Sequence, residues 1–176
     1  VGILDDSDKA VSSGWKNIND EIWIIGSNSS EITLGASSYL EYFHGQVTGR
    51  PPDINLEDEK LCQEIIRNSI NKDFLASCHD ISDGGLSVAL AECSILSGLG
   101  AQINIEDYIR EDKLLFGEGG SRIIFSIDIN KKDNWLKYLN KVNEKLKDSL
   151  YINKIGVVSN NKLKIKYLNN VICDLK

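Results

Sequence analysis

Between the apolar run Phe74-Leu75-Ala76-Ser77-Cys78 and a stretch in which Leu86, Ala89, Leu90, Cys93 and Leu96 recur at helical spacing lies His79-Asp80-Ile81-Ser82-Asp83-Gly84-Gly85. The run predicts a strand over 74–78 and the periodicity a helix over 86–97. The residues between them must therefore carry the chain from a strand end into a helix N-terminus. At such a point the first backbone N–H groups lack intrahelical partners and the aligned peptide dipoles favour an anion. Gly84 and Gly85 remove side chains that would block close approach. Asp80 and Asp83 are hard oxygen donors of the kind that hold Mg2+, which takes one or two carboxylates while phosphate and water complete its shell. Ser82 can donate to a phosphate oxygen or cap the helix. Taken alone, these residues leave a second reading open, in which Ser82 or Asp83 is only an N-cap and the glycines only make the turn. His79, beside Asp80, is either a general base or a hydrogen-bonded structural group.

With 176 residues the chain is long enough for one domain with a substantial core, and 41% apolar with 26% charged residues is ordinary globular composition. A net charge of −6 argues against a nucleic-acid surface, which needs clustered Lys and Arg. The expected partner is a small molecule or another protein. No apolar run approaches the length of a membrane span and no signal-peptide pattern opens the chain, so a cytoplasmic location is expected. The four cysteines, at 62, 78, 93 and 173, form no CxxC pair and have no His at zinc-ligand spacing. Cys78 and Cys93 fall in the strand and helix above, where Cys acts as a small core hydrophobe, so reduced structural thiols are expected. The chain begins at Val1 and contains no Met, which predicts a piece of a longer polypeptide, although processing would also remove Met.

Elsewhere the pattern alternates strands with helices. Glu21 to Gly26 reads as a buried strand, Leu34-Gly35-Ala36-Ser37-Ser38 opens a helix carrying Tyr39, Leu40 and Phe43, and Gly45 to Asp53 is a loop in which Pro51 and Pro52 stop any helix. A helix is predicted over 56–70, a strand over 101–105 after Gly98 and Gly100, and the clearest strand over 123–127. Trp135, Leu136, Leu139, Val142 and Leu146 give 134–146 one apolar side, with lysines on a solvated face. Tyr151 to Val158 and Lys162 to Tyr167 read as two strands forming a hairpin around Ser159-Asn160-Asn161. This pattern predicts a mixed α/β (α+β) fold, a layered mixed sheet covered by helices. His44 carries no chemistry, and the small residues at 34–38 either admit a phosphate or tighten packing.

A second constellation, Leu115-Phe116-Gly117-Glu118-Gly119-Gly120-Ser121-Arg122, stands directly before the 123–127 strand. Gly117, Glu118 and Arg122 are candidates for an anion or substrate loop, with backbone N–H groups around the anion and Arg122 as charge partner. Alternatively, Glu118 and Arg122 pair with each other or cap neighbouring elements.

His79-Asp80-Ile81-Ser82-Asp83-Gly84-Gly85-Leu86 followed by Ala89-Leu90-Ala91-Glu92 closely resembles the phosphoribosylformylglycinamidine synthase family, glutamine-dependent enzymes of purine synthesis. Leu115-Phe116-Gly117-Glu118 with Arg122 is similar to a second signature of that family. The resemblance implies a domain like the C-terminal domain of aminoimidazole ribonucleotide synthetase over residues 21–176, with 1–20 the end of a preceding ATP-binding domain and its linker. The Asp-Ile-Ser-Asp form is similar to the second of the family's two related halves. It implies an ATP-dependent C–N ligase with glutamine as amide donor: the substrate amide oxygen is phosphorylated, and ammonia then displaces phosphate. By the same resemblance, Asp80 matches a magnesium ligand and Ser82 a nucleotide contact, the implied cofactors being Mg2+ and ATP or ADP. The implied partners are the ATP-binding domain of the same polypeptide, a glutaminase and a small accessory subunit, with no nucleic acid and no membrane. No catalytic residue of the family is matched, and the isolated chain is expected to be inactive. Gly119-Gly120-Ser121 departs from the commoner Ser-Gln after the glutamate, which puts substrate contacts by this loop in doubt.

Overall fold

The computed structural model describes residues 6–27, 32–107, 109–144, 146 and 150–175. In chain order they form β1 (Glu21–Ser27), α1 (Ser38–His44), α2 (Leu56–Asn71), β2 (Leu75–Asp80), α3 (Gly85–Ser97), β3 (Gly100–Ile105) and α4 (Glu111–Phe116). β4 (Ile123–Ile127), α5 (Lys132–Asn143), β5 (Leu150–Ser159), β6 (Leu163–Tyr167) and β7 (Asn170–Leu175) complete the order. The seven strands make one mixed sheet in the order β2-β4-β1-β5-β3-β6-β7.

Side-chain alternation along the strands sorts the core onto two faces. Ile22 and Ile24 of β1 and Ile124 of β4 pack with Leu86, Ala89, Leu90 and Cys93 of α3 and Leu114 of α4. Trp23, Ile25, Phe125 and Ile127 point the other way, onto Cys62, Ile65 and Ile66 of α2 and Trp135, Leu139 and Val142 of α5. The centre of the sheet is thus covered on both sides, which is why β1 and β4 read as continuous apolar runs. In β3, by contrast, Ala101, Ile103 and Ile105 are buried while Gln102 and Asn104 are exposed.

The expected hairpin between the last two predicted strands does not form. β5 pairs antiparallel with β3, and β6 lies parallel to β3 on its other side, so β3 separates the two. Nothing in the local sequence at 159–161 records that insertion. The hairpin partner of β6 is β7, which the pattern did not reveal, joined through Leu168 and Asn169 at φ of 45° and 68°. The short helix α4 is a second element beyond the expected set. α5 starts at Lys132 and ends at Asn143, earlier at both ends than predicted.

The segment before β1 packs into this unit. Trp15 is 3% exposed in the core beside α3 and donates from Nε1 to Ser94 Oγ at 3.2 Å. The Cys78 amide bonds the Ser12 carbonyl at 3.1 Å. Residues 1–5, the start of the expected end of a preceding ATP-binding domain, lie outside the described residues. All four cysteines are free thiols, and burial pushes Cys62, Cys78 and Cys93 up to about 12. They are inert as nucleophiles at neutral pH. Among the described residues no helix is long and apolar enough to cross a membrane.

Glu21 ties the α5 layer to the sheet. Its carboxylate is 3% exposed and takes Lys132 Nζ of α5 at 2.8 Å and Lys154 Nζ of β5 at 2.7 Å on one oxygen. Burial raises its pKa, but the two lysine bonds outweigh that and hold it below the ordinary 4.5. A carboxyl depressed in the fold stabilises it above the ordinary carboxylate range and loses that contribution as pH falls through the folded value. Glu21→Gln should therefore shorten the acid limb, so that stability falls less steeply below about pH 4.5 than in the parent. Urea melts between pH 3 and 7 check this, and parallel curves would rule out the Glu21 contribution.

Candidate functional site

The two constellations, distant in sequence, are one hydrogen-bonded unit. β2 runs on through His79 and Asp80, so the turn proper begins at Ile81. The Ile81 amide donates to the Arg122 carbonyl at 2.9 Å, continuing the β2–β4 ladder past its last strand pair. Gly84 N–H donates to Glu118 Oε1 at 2.9 Å, and Ser87 Oγ donates to the Leu115 carbonyl at 2.7 Å. Gly85, at φ +71°, shows why only glycine fits: a Cβ there would lie 2.7 Å from Phe116 C and 2.8 Å from Gly117 O. The Leu115–Gly117 backbone occupies the space a side chain would need.

Glu118 is the brace of this unit. The same Oε1 that accepts from Gly84 also accepts from the amide of Ser38, the first residue of α1, at 2.9 Å. Its backbone exchanges two bonds with Thr33, at 3.0 and 2.9 Å. One carboxylate therefore satisfies orphan amides at the starts of α1 and α3, where helix dipoles favour negative charge. An anion drawn to the Ser38 and Gly84 amides would have to displace Glu118. Glu118 and Arg122 do not pair with each other: the Arg122 guanidinium donates from Nη1 to the Gly117 carbonyl at 2.9 Å. Ser121 instead gives its amide and hydroxyl to Glu59 Oε2, at 2.9 and 2.7 Å. Bonds from Gln63 and Ser121 hold Glu59 below the usual carboxylate range.

α3 has no side-chain cap. Its N-cap is Gly84 in the left-handed region, and neither Ser82 nor Asp83 caps it. Both side chains are exposed on the turn, and the Ser82 carbonyl takes the Gly85 amide at 3.1 Å. Asp80 is 72% exposed; its Oδ1 lies 3.3 Å from His79 Nδ1, while His79 Nε2 lies 3.1 Å from Glu92 Oε2 of α3. His79 thus bridges the end of β2 to α3. Among the described residues no three His, Cys, Asp or Glu side chains gather as a metal cage. The donor set fits Mg2+ in its usual manner, one open carboxylate with phosphate and water supplying the rest of an octahedral shell. Gly35 takes the packing role, because a Cβ there would stand 2.5 Å from the Arg50 carbonyl oxygen.

Sequence reasoning missed the Ser38 and Thr33 contacts to Glu118 and the Glu59 contacts to Ser121. Each joins segments far apart in the chain and leaves no local pattern. Glu92 was within reach, since it closes the run Ala89-Leu90-Ala91-Glu92 and lies on α3 facing the end of β2.

Comparison with known proteins gives a consistent picture. Residues 17–166 match the family model for AIR synthase related protein, C-terminal domain. The chain is 57% identical over 176 residues to phosphoribosylformylglycinamidine synthase subunit PurL of Prochlorococcus marinus strain MIT 9312, covering 99% of this chain. It spans 23% of the length of that relative. Among solved structures it is similar to T. maritima PurL complexed with FGAR, with a TM-score of 0.73 and 17% identity over 96% of this chain and 29% of that one. T. maritima PurL complexed with ATP gives 0.70 and 18%, covering 96% and 27%. At such identities the structures bear on the fold alone.

Removing the Glu118 carboxylate strands two helix-start amides at once. Glu118→Ala should cost about 2–4 kcal/mol, and Glu118→Gln, which keeps an acceptor oxygen, distinctly less. Denaturant titration reads both; an alanine variant within about 0.5 kcal/mol of the parent would exclude the brace.

Proposed function

We propose, for a chain that belongs to the AIR synthase related protein family through its C-terminal domain, that it supplies one side of a magnesium–nucleotide site in a phosphoribosylformylglycinamidine synthase. The whole reaction in this reading is ATP-dependent amide-to-amidine conversion, with ammonia from glutamine. Asp80 is a ligand of the metal and Ser82 contacts the nucleotide. The other side of the site belongs to an ATP-binding domain of the same polypeptide. A glutaminase and a small accessory subunit complete the assembly.

The observation that carries the reading is the openness of Asp80 within a turn that is otherwise held. The amides of Ile81, Gly84 and Gly85 are bonded to Arg122, Glu118 and Ser82, yet the Asp80 carboxylate remains 72% exposed beside an uncapped helix start. The metal, when bound, neutralises phosphate oxygens. The remaining first-turn amides of α3, which have no side-chain cap, offer an anion partially positive donors. The relatives support the same reading, since a protein of this fold has been solved with ATP. An assembly role is the second reading, favoured by exposed Tyr42, Phe43, Val47, Ile54 and Leu56 on α1, the segment after it and the start of α2.

Asp80→Ala, placed in the complete polypeptide that carries this domain, should lower co-purifying nucleotide at least tenfold, read by chromatography of the heat-released nucleotide. Unchanged nucleotide content sinks the ligand assignment. Calorimetry of the 176-residue chain alone with Mg-ATP and Mg-ADP should give only weak heats, and tight binding would contradict the need for a second domain.

A further inference from the structure

A buried charge without an opposite charge beside it is costly and calls for a partner. Arg122 is 3% exposed. Its Nη1 is bonded to the Gly117 carbonyl, while Nε has no hydrogen-bond partner among the described residues. The polar side chain facing the guanidinium is the Tyr151 phenol, not a carboxylate. The burial is built in. Arg122, one residue before β4, shares the alternation of Ile124, which faces the α3 and α4 layer, and Gly26 follows Ile22 and Ile24 of β1 onto the same face. A Cβ on Gly26 would come 2.9 Å from Arg122 Cγ, so glycine leaves the slot that the arginine stem fills.

On this face, where β3 stops at Ile105, a cavity of about 620 Å3 opens. Arg122 and Tyr151 stand in its wall with Leu86, and Asn104, Asn153 and Asp107 border it. Glu106 is engaged by Asn104 Nδ2 at 3.1 Å, and Lys154 by Glu21. The volume is that of an ordinary small-molecule site, and the lining is mixed, with Ile24, Leu86, Leu114 and Ile155 beside a larger polar share.

We infer that this cavity binds a small molecule through a single oxyanion head, a carboxylate or a phosphate, received by Arg122 with Tyr151 beside it. The guanidinium fork suits either head. The Asn153 amide can donate to the body of the ligand, and Asp107 disfavours a second negative charge, so nucleoside triphosphates are excluded. The site is separate from the one proposed around Asp80 and Ser82 and does not depend on it.

The test is an NMR titration of the 15N-labelled chain with sodium acetate and, separately, sodium phosphate, against sodium chloride at equal ionic strength. The Arg122 Nε–H cross-peak should shift and saturate. Saturation with acetate alone identifies a carboxylate ligand, with phosphate alone a phosphate ester, and with both the shared oxyanion chemistry. Asn153→Phe, at an exposed strand position, narrows the cavity without touching the core and should weaken binding at least tenfold. Asp80→Ala should leave the affinity unchanged, so failure at the Asp80 site leaves this result standing. An Arg122 peak that moves no more than in chloride, equal binding by Asn153→Phe, or loss of binding in Asp80→Ala would overturn the inference.

Discussion

One carboxylate oxygen organises the region that matters most. Glu118 Oε1 sits between the Ser38 and Gly84 amides, each at 2.9 Å, and so fixes the start of α1 against the start of α3. Without it, two donors at positive helix ends would face each other with no acceptor. The left-handed Gly84, the Gly85 contact with the Leu115–Gly117 backbone and the direction of the Asp80 turn all depend on that spacing. The loop holding Glu118 is itself pinned by Thr33 on one side and by Ser121 on Glu59 on the other. A loop with three glycines would otherwise be the least ordered part of the molecule.

This arrangement gives three charged side chains different surroundings. Glu118 has its charge consumed within the fold. Asp80 has its charge left open to solvent, with His79 as its ion-pair partner among the described residues. Arg122 has its charge buried against a cavity, and burial pulls its pKa down while pushing the Tyr151 phenol up. Glu118 and Arg122, grouped as one candidate anion loop by proximity in the chain, therefore do different work. Alternation along β4 explains the split: Arg122 continues the face of Ile124, while the loop before it bends away to reach α1.

Local pattern carried the parts of the fold that local physics decides. The β1 and β4 runs, the apolar faces of α2 and α5, and the strand–turn–helix unit at 74–97 were legible because burial imposes a period on the residues. Strand order was not legible. The β3 strand enters between β5 and β6, and the parallel β3–β6 pair is a long-range choice that no turn sequence at 159–161 encodes. β7 was hidden because its residues are mostly exposed and alternate weakly. At the site, Asp80 and Ser82 could be singled out by chemistry and by resemblance. The brace could not, since a carboxylate before a strand gives no sign of which distant amides it will meet.

The openness of Asp80 also constrains what must lie opposite it. In the proposed site, an octahedral Mg2+ shell would need more donors than the Asp80 carboxylate gives, the rest coming from phosphate, water or carboxylates of another domain. The neighbouring surface makes the same demand in apolar terms. Tyr39 stacks on Phe116 at 5.0 Å and Phe43 lies 6.0 Å from the same ring, which ties the aromatic face of α1 to the backbone that Gly85 packs against. Phe43 and Tyr42 remain 69% and 85% exposed there. A domain laid over α1 would bury that face, and the brace through Glu118 would hold the Asp80 turn in register with it. In the proposed function, Asp80 and the aromatic face of α1 sit on elements joined by one carboxylate, which would couple nucleotide binding to the docking of a second domain.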